Sequence, residues 1–136
     1  MKVYWDTSAL VRYYREQRVP EISGVTRTHS LAELFSALTG RGIEILTADG
    51  TLKHKRFSMV AAAEVVKQVR ARLEFVDLSP DEVIFAIQRA EKLNAQGGRI
   101  HDLLHAAAAD KAKADELWTL DRNDFAGLGS TPVQQL

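Results

Sequence analysis

Four carboxylates of this chain are candidates for chemistry because each stands next to apolar residues, where a charge is costly to hold. They are Asp6, Glu33, Asp102 and Asp121, and Asp124 follows shortly after the last of them. Carboxylates that gather in one place repel one another unless a cation lies between them. A hard dication such as Mg²⁺ takes oxygen ligands and keeps waters for a phosphate substrate, so such a cluster is suited to phosphodiester cleavage.

Each of these acids also has an ordinary structural explanation. Asp6 could cap the helix that follows the first strand, and Glu33 could complete a capping box with Ser30. Asp102 in the first turn of a helix is what the helix dipole favours, and the two acids near the C-terminus are common turn residues. Spacing along the chain does not show whether the carboxylates converge, so both interpretations stay open.

The elements that must position these acids alternate between strand and helix. Apolar runs, a Ser-Pro-Asp-Glu helix start at 79–82 and terminating glycines carry this interpretation. Such alternation predicts parallel β-α units, in which ligands bind at the carboxyl ends of the strands. Asp6 and Asp121 both end strands on this interpretation. The predicted strands are 3–5, 25–28, 74–78, 117–120 and 132–135, and the predicted helices are 9–18, 31–38, 58–73, 80–94 and 101–114.

A hairpin is predicted at 43–57, because Asp49-Gly50 separates two short apolar runs. Its second half carries Lys53, Lys55 and Arg56, and residues 51–72 hold six basic residues against Glu64 alone. Three basic side chains together could contact RNA phosphates, which would position an RNA without selecting its sequence. A solvated turn is the alternative, and a contact with another protein chain is a third.

Composition limits the class of protein. The chain has 136 residues, of which 46% are hydrophobic, and this excludes a disordered tail and favours a single domain. The absence of cysteine excludes a disulfide framework and a zinc knuckle. A net charge of zero argues against a binder driven by overall charge, although residues 1–75 carry +4 and the remainder −4. No signal peptide or membrane span is predicted, so we expect a soluble, cytoplasmic protein with no membrane partner.

Four short blocks occur in a characteristic order. The first is Asp6-Thr7-Ser8-Ala9-Leu10, and the second is His29-Ser30-Leu31-Ala32-Glu33. The third is the HDLLHAAA run at 101–108, and the fourth is WTLDRNDF at 118–125. Together they resemble the blocks of PIN-domain nucleases, especially the VapC-like toxins of type II toxin–antitoxin pairs.

This resemblance spans nearly the whole chain and implies one PIN-like domain over 1–136, with helices on both sides of a central parallel sheet. It implies a Mg²⁺- or Mn²⁺-dependent endoribonuclease, in which a metal-activated water attacks an RNA phosphodiester. It also implies a small antitoxin that neutralises the toxin by inserting into the acidic pocket, and a homodimer that forms through apolar helix faces.

The resemblance assigns roles to particular residues of this chain. Ser8 and Thr119 match positions whose hydroxyls support the acids, and Asp124 matches a frequent additional acid just outside the metal site. We expect the four main acids to surround one pocket with no basic residue buried among them, and their repulsion to raise at least one pKa. The implied catalytic and metal-binding residues are Asp6, Glu33, Asp102 and Asp121.

Three other functions are compatible with parts of the sequence. His101 and His105 lie four residues apart on one helix face, as in zinc hydrolases, although no further histidine follows them. Asp6 after an apolar strand also resembles phosphatases with a nucleophilic Asp, but those carry a second Asp where Ser8 stands. A PIN-like fold that serves only as a binding module is the third alternative.

Overall fold

The structure is a computed structural model that describes all 136 residues. Its sheet contains five parallel strands in the order β5-β2-β1-β6-β7. These are β1 (Val3–Trp5), β2 (Val25–Thr26), β5 (Glu74–Phe75), β6 (Glu116–Thr119) and β7 (Val133–Gln135). The central strand β1 is buried along its whole length, as expected of a parallel sheet that is covered on both faces.

Five helices cover the two faces of the sheet: α1 (Thr7–Arg15), α2 (His29–Thr39), α3 (Met59–Arg72), α4 (Pro80–Ala90) and α5 (Arg99–Lys111). Successive side chains of a strand point to opposite faces, so β1 contributes to two separate cores. Val3 and Trp5 pack among residues of α1, α2 and α3. Tyr4 packs on the other side, among residues of α4 and α5. The predicted α/β architecture, with helices on both sides of a central parallel sheet, is therefore confirmed.

The predicted hairpin is also present. Strands β3 (Ile43–Leu46) and β4 (Leu52–Lys55) form an antiparallel pair outside the main sheet. Gly50 has a positive φ of 83° in the connecting turn, a conformation that favours glycine. Ile43 faces the core that contains α1, and this fixes one side of the hairpin against the domain.

Several details of the sequence interpretation are wrong. The predicted strands 25–28 and 74–78 end at Thr26 and Phe75, and the predicted helices 9–18 and 101–114 each begin two residues earlier and end three residues earlier. Ser30 does not begin a capping box with Glu33, because α2 starts at His29 and buries the Ser30 hydroxyl against that of Thr26, 2.7 Å away. The predicted helix at 80–94 ends at Ala90, and the segment from there to Arg99 is mostly turn. None of the helices is both long enough and apolar enough to cross a membrane.

Candidate acidic site

Asp6 lies at the carboxyl end of β1 and is the N-cap of α1. Its Oδ1 accepts hydrogen bonds from the Ala9 amide at 2.8 Å and the Ser8 hydroxyl at 2.7 Å. Its Oδ2 accepts one from the Thr119 hydroxyl at 2.6 Å. Burial raises the pKa of Asp6, and these hydrogen bonds offset only part of that effect. The capping role that the sequence left open for Asp6 is thus confirmed. Hydrogen bonds to both oxygens also hold the carboxylate at the sheet edge where parallel α/β folds generally bind ligands.

Ser8 and Thr119 connect Asp6 to the neighbouring strand. Because β1 and β6 are adjacent and Trp5 is in register with Trp118, Thr119 ends its strand beside Asp6. Ser8 Oγ accepts a hydrogen bond from the Leu120 amide at 3.0 Å, and Thr119 Oγ1 accepts one from the Asp121 amide at 3.2 Å. The two hydroxyls support Asp6 and the backbone at 120–121 together, as the resemblance implies.

Asp102 lies in the first turn of α5 and is partly buried. Its burial, the charge of Asp124 and the charge of Asp6 raise its pKa to about 6. Burial, and not the repulsion that we expected to dominate, contributes most to this raised pKa. Asp6, Asp102 and Asp124 lie close enough together for their charges to affect Asp102.

Glu33 has partners of a different kind. Its Oε1 lies 3.1 Å from Nε2 of His105, whose Nδ1 is 2.8 Å from the hydroxyl of Tyr4. Burial raises the pKa of Tyr4, so its hydroxyl keeps its proton and donates to Nδ1, while Nε2 donates to Glu33. Partial burial acts against ionisation of Glu33, but the hydrogen bond from His105 and the charge of Arg27 hold its pKa below the ordinary value.

Arg27 overturns one prediction about the site. We expected no basic residue to be buried among the acids, but Arg27 is buried and its Nη2 lies 3.6 Å from Oε1 of Glu33. It directly follows β2, and its position at the carboxyl end of a predicted parallel strand was a signal available in the sequence. His105 was likewise identifiable, since it follows Asp102 by three residues and so shares a helix face with it.

Asp121 and Asp124 are exposed at the rim of the site. The Asp121 side chain accepts a hydrogen bond from the Asn123 amide at 3.0 Å and caps a short 3₁₀ turn, Arg122–Phe125. Its carboxylate therefore has the turn role that the sequence left open, and its amide links it to Thr119.

Glu33 lines a cleft of about 520 Å³ with Thr7, His29 and Ser36, among others.

The donor set suits a hard dication, because carboxylate oxygens are the protein ligands that Mg²⁺ and Mn²⁺ prefer. In this arrangement no three Asp, Glu or His side chains lie close enough to share one ion. Asp6 is fixed by its hydrogen bonds, and Glu33 is turned toward His105 and Arg27. The residues thus fit the ion in chemistry and in edge position, and Glu33 would have to leave its present partners to join it.

The histidine pair at 101 and 105 does not form a zinc site. Both nitrogens of His105 are hydrogen-bonded, to Tyr4 and Glu33, so no nitrogen is free for a metal. His101 is exposed, and its ring is stacked on that of His29 with the centroids 6.1 Å apart. The ordinary interpretation of these histidines, hydrogen bonding for one and a helix-start position for the other, is confirmed.

The hairpin residues Lys53, Lys55 and Arg56 are exposed and lie away from the carboxylates. Arg56 Nε donates to the carbonyl oxygen of Thr39 at 2.9 Å, at the C-terminal end of α2. Lys55 Nζ lies 4.7 Å from the ring centre of Phe57. The hairpin meets the C-terminal end of α1, where Gln17 Nε2 donates to the Leu46 carbonyl oxygen at 3.3 Å, whereas Asp6 caps the N-terminal end of this helix. The structure therefore does not bring the basic residues into the acidic site.

Comparison with known proteins does not assign this arrangement to a family. No protein-family model matches the chain, and no curated protein matches it.

Proposed function

We propose that this protein is a metal-dependent endoribonuclease with a PIN-like domain, the toxin of a type II toxin–antitoxin pair. The observation that supports this most directly is the paired placement of Asp6 and Asp102 at the carboxyl edge of a parallel sheet. Their charged forms are disfavoured there without a cation, as the raised pKa of each indicates. A site of this kind is stabilised by a dication and suits an anionic substrate that brings further oxygens.

Asp6, Asp102, Glu33 and Asp121 would hold Mg²⁺ or Mn²⁺ in this proposal. The ion would lower the pKa of water and neutralise charge on a phosphodiester. Ser8 and Thr119 keep the Asp6 carboxylate in one orientation through bonds of 2.7 and 2.6 Å. Asp124, whose charge raises the pKa of Asp102, lies exposed at the rim of the site and would attract a cation to it.

The partners of the protein are part of the same proposal. An antitoxin would reach the acidic rim with Arg or Lys, since Asp121 and Asp124 are exposed there. A second copy of the chain would pack against an apolar helix face to form a homodimer. The RNA substrate and the antitoxin would meet this protein in the cytoplasm.

The test is cleavage of mixed cellular RNA, including tRNA and rRNA, by the purified protein with Mg²⁺, Mn²⁺ or EDTA. We expect cleavage with either metal and none with EDTA, followed by end-mapping of the products. Asp6→Asn should abolish cleavage, because it removes the carboxylate charge but keeps a capping side chain. Asp81→Asn, the same change in the exposed first turn of α4, should leave it intact. Cleavage that persists in EDTA would contradict the proposal.

A non-catalytic binding module is the second candidate. It is favoured by the absence of any three Asp, Glu or His side chains close enough to share one ion. It predicts that the protein neither cleaves RNA nor gains thermal stability from Mn²⁺. Wild-type protein and Asp6→Asn would then behave alike in both measurements.

A further inference from the structure

Arg27 is a buried basic side chain packed against Glu33, one of the proposed metal ligands, and its guanidinium has donors without hydrogen-bond partners. The residue is only 9% exposed, and its Nε and Nη2 atoms are buried without a hydrogen-bond partner. The nearest acid is Glu33, 3.6 Å from Nη2, which is an ion-pair distance but too long for a hydrogen bond.

Two buried donors without partners carry a desolvation cost that a purely structural ion pair would normally remove by closer contact. Asp77, another acid whose charge interacts with Arg27, does not satisfy them. Its carboxylate accepts bonds from the amide and hydroxyl of Thr28 at 2.9 and 2.7 Å. Arg27 is therefore left facing Glu33 with unused hydrogen-bonding capacity.

Glu33 is correspondingly shared between two cationic or proton-donating neighbours. Its Oε1 takes both the 3.1 Å contact from His105 and the 3.6 Å contact from Arg27. The side chain is about a quarter exposed, so it has room to turn. The other proposed ligands have no basic neighbour at ion-pair distance within the chain.

We infer that Arg27 is a positioning residue that competes with a divalent cation for Glu33. Because Glu33 is a metal ligand only if the proposed function holds, this inference rests on that function. In the metal-free protein Arg27 holds the carboxylate beside His105. A cation that recruits Glu33 must overcome this attraction. Arg27 therefore sets the affinity for the metal and the cation concentration at which Glu33 joins the other ligands.

The test is Mn²⁺ affinity measured by calorimetry on metal-free protein, with variants at Arg27 and Glu33. Arg27→Met keeps the length and removes the charge and the two unpartnered donors, so it should fold. We expect it to bind Mn²⁺ about tenfold more tightly than wild type. Arg27→Lys, which keeps the charge, should stay near the wild-type affinity.

Two comparisons separate competition for Glu33 from general charge repulsion. In a Glu33→Gln background, Arg27→Met should change the affinity by less than about twofold, because the contested carboxylate is gone. Arg99→Met removes an equal charge near Asp102, since Arg99 binds the Asp124 carbonyl at 3.3 Å, but it does not touch Glu33. Its effect should be the same with and without Glu33.

Unchanged or weaker Mn²⁺ binding in Arg27→Met would overturn the inference, as would equal tightening in the presence and absence of Glu33. Wild-type binding that is lost in Asp102→Asn but insensitive to Arg27 would overturn this inference alone. If no variant binds Mn²⁺, the proposed function itself fails. Binding in Arg27→Met but not in wild type would support the inference in its strongest form.

Discussion

At the scale of single residues, the site is a set of carboxylates with different neighbours. The carboxylate of Asp6 accepts three hydrogen bonds that fix its orientation, whereas Asp102 is partly buried near other acids. Glu33 has His105 and Arg27 instead. Ionisation of Asp6 or Asp102 therefore destabilises the folded protein, whereas the surroundings of Glu33 stabilise its anion.

Asp102→Asn tests this difference in stability. The folded pKa of Asp102 is about 6 and its ordinary value is 3.8, so the folded state binds the proton more tightly. The resulting stability is complete below about pH 4 and is lost as pH rises through about 6. Because water screens the partly exposed carboxylate, we expect the metal-free variant to gain about 1 kcal/mol at pH 7 and nothing near pH 4.

Urea unfolding in EDTA over this pH range provides the measurement. Asp81→Asn should not change the pH dependence, since Asp81 is exposed on α4. A variant that is less stable than wild type at neutral pH would show that the Asp102 carboxylate has a stabilising partner. RNA cleavage should be lost in Asp102→Asn although its stability is higher.

Tyr4→Phe tests the buried network that holds Glu33. The hydroxyl of Tyr4 is 2.8 Å from Nδ1 of His105, and both residues are buried. Removing it leaves a buried ring nitrogen without a partner, so we expect a loss of about 1–2 kcal/mol in unfolding free energy. Tyr14→Phe is the matched control, because the Tyr14 ring packs on Phe57 and is only partly buried. Equal losses in the two variants would contradict the network.

At the scale of elements, local patterns predicted what each segment forms, and long-range pairing decided which partners meet. The Ser79 capping box and the Asp49-Gly50 turn depend on residues a few positions apart, and both are present. The Glu33–His105 contact joins residues 72 positions apart. Its existence depends on how α2 and α5 meet over the sheet, which periodicity within either helix does not specify.

The capping-box alternative for Ser30 is excluded for a related reason. Serine three residues before glutamate is typical of a capping box, but here the packing of α2 against β2 buries the Ser30 hydroxyl beside Thr26. A tertiary hydrogen bond replaced the local one. The parallel direction of the strands and the position of Asp6 at a strand end followed from sequence, whereas the order of the strands in the sheet and the orientation of Glu33 toward Arg27 did not.

The hairpin carries the third prediction. Lys53 and Lys55 lie opposite Ile45 and Ile43 on the neighbouring strand, so both lysines are on one face of the hairpin. If this element contacts RNA phosphates, Lys53→Gln should reduce the slope of log affinity against log salt by about 0.7, independently of RNA sequence. Lys92→Gln, an equal loss of charge in the turn after α4, should leave the slope unchanged.

An unchanged slope in the triple variant Lys53→Gln, Lys55→Gln, Arg56→Gln would exclude RNA contact by the hairpin. Arg56 holds the end of α2 through Thr39, so its replacement is expected to lower stability as well. Light scattering on the same variant then shows whether the hairpin contributes to oligomer assembly instead. A contact there would leave the acidic site uncovered, because the hairpin lies away from Asp6.

At the scale of the whole molecule, apolar residues that the core does not use are concentrated on α4. Ile84 is 53% exposed, Phe85 is 62% exposed and Ile87 is 50% exposed. Ile84 and Ile87 are three positions apart and share one face of the helix, with Phe85 at its side. Exposed apolar side chains on one helix face are typical of an interaction surface. The same helix faces a groove that Phe85 and Arg89 line together with Lys111 of α5.

The proposed homodimer is expected to form through this face of α4. Replacing Ile84 and Ile87 with Ser removes apolar area from the contact of both copies, and should weaken association by about tenfold or more. The fold should persist, because neither side chain belongs to the two buried cores. Sedimentation or light scattering over a range of concentrations measures the change.

Met59→Ser with Val60→Ser is the control, because these residues are the most exposed apolar pair of α3, at 73% and 77%. A dimer that responds to this pair and not to Ile84 and Ile87 would assign the interface to α3. A monomer at every concentration would remove the second copy from the proposal and leave the α4 face for the antitoxin. The acidic site is built from β1, β6, α2 and α5, so its metal affinity should be the same in monomer and dimer.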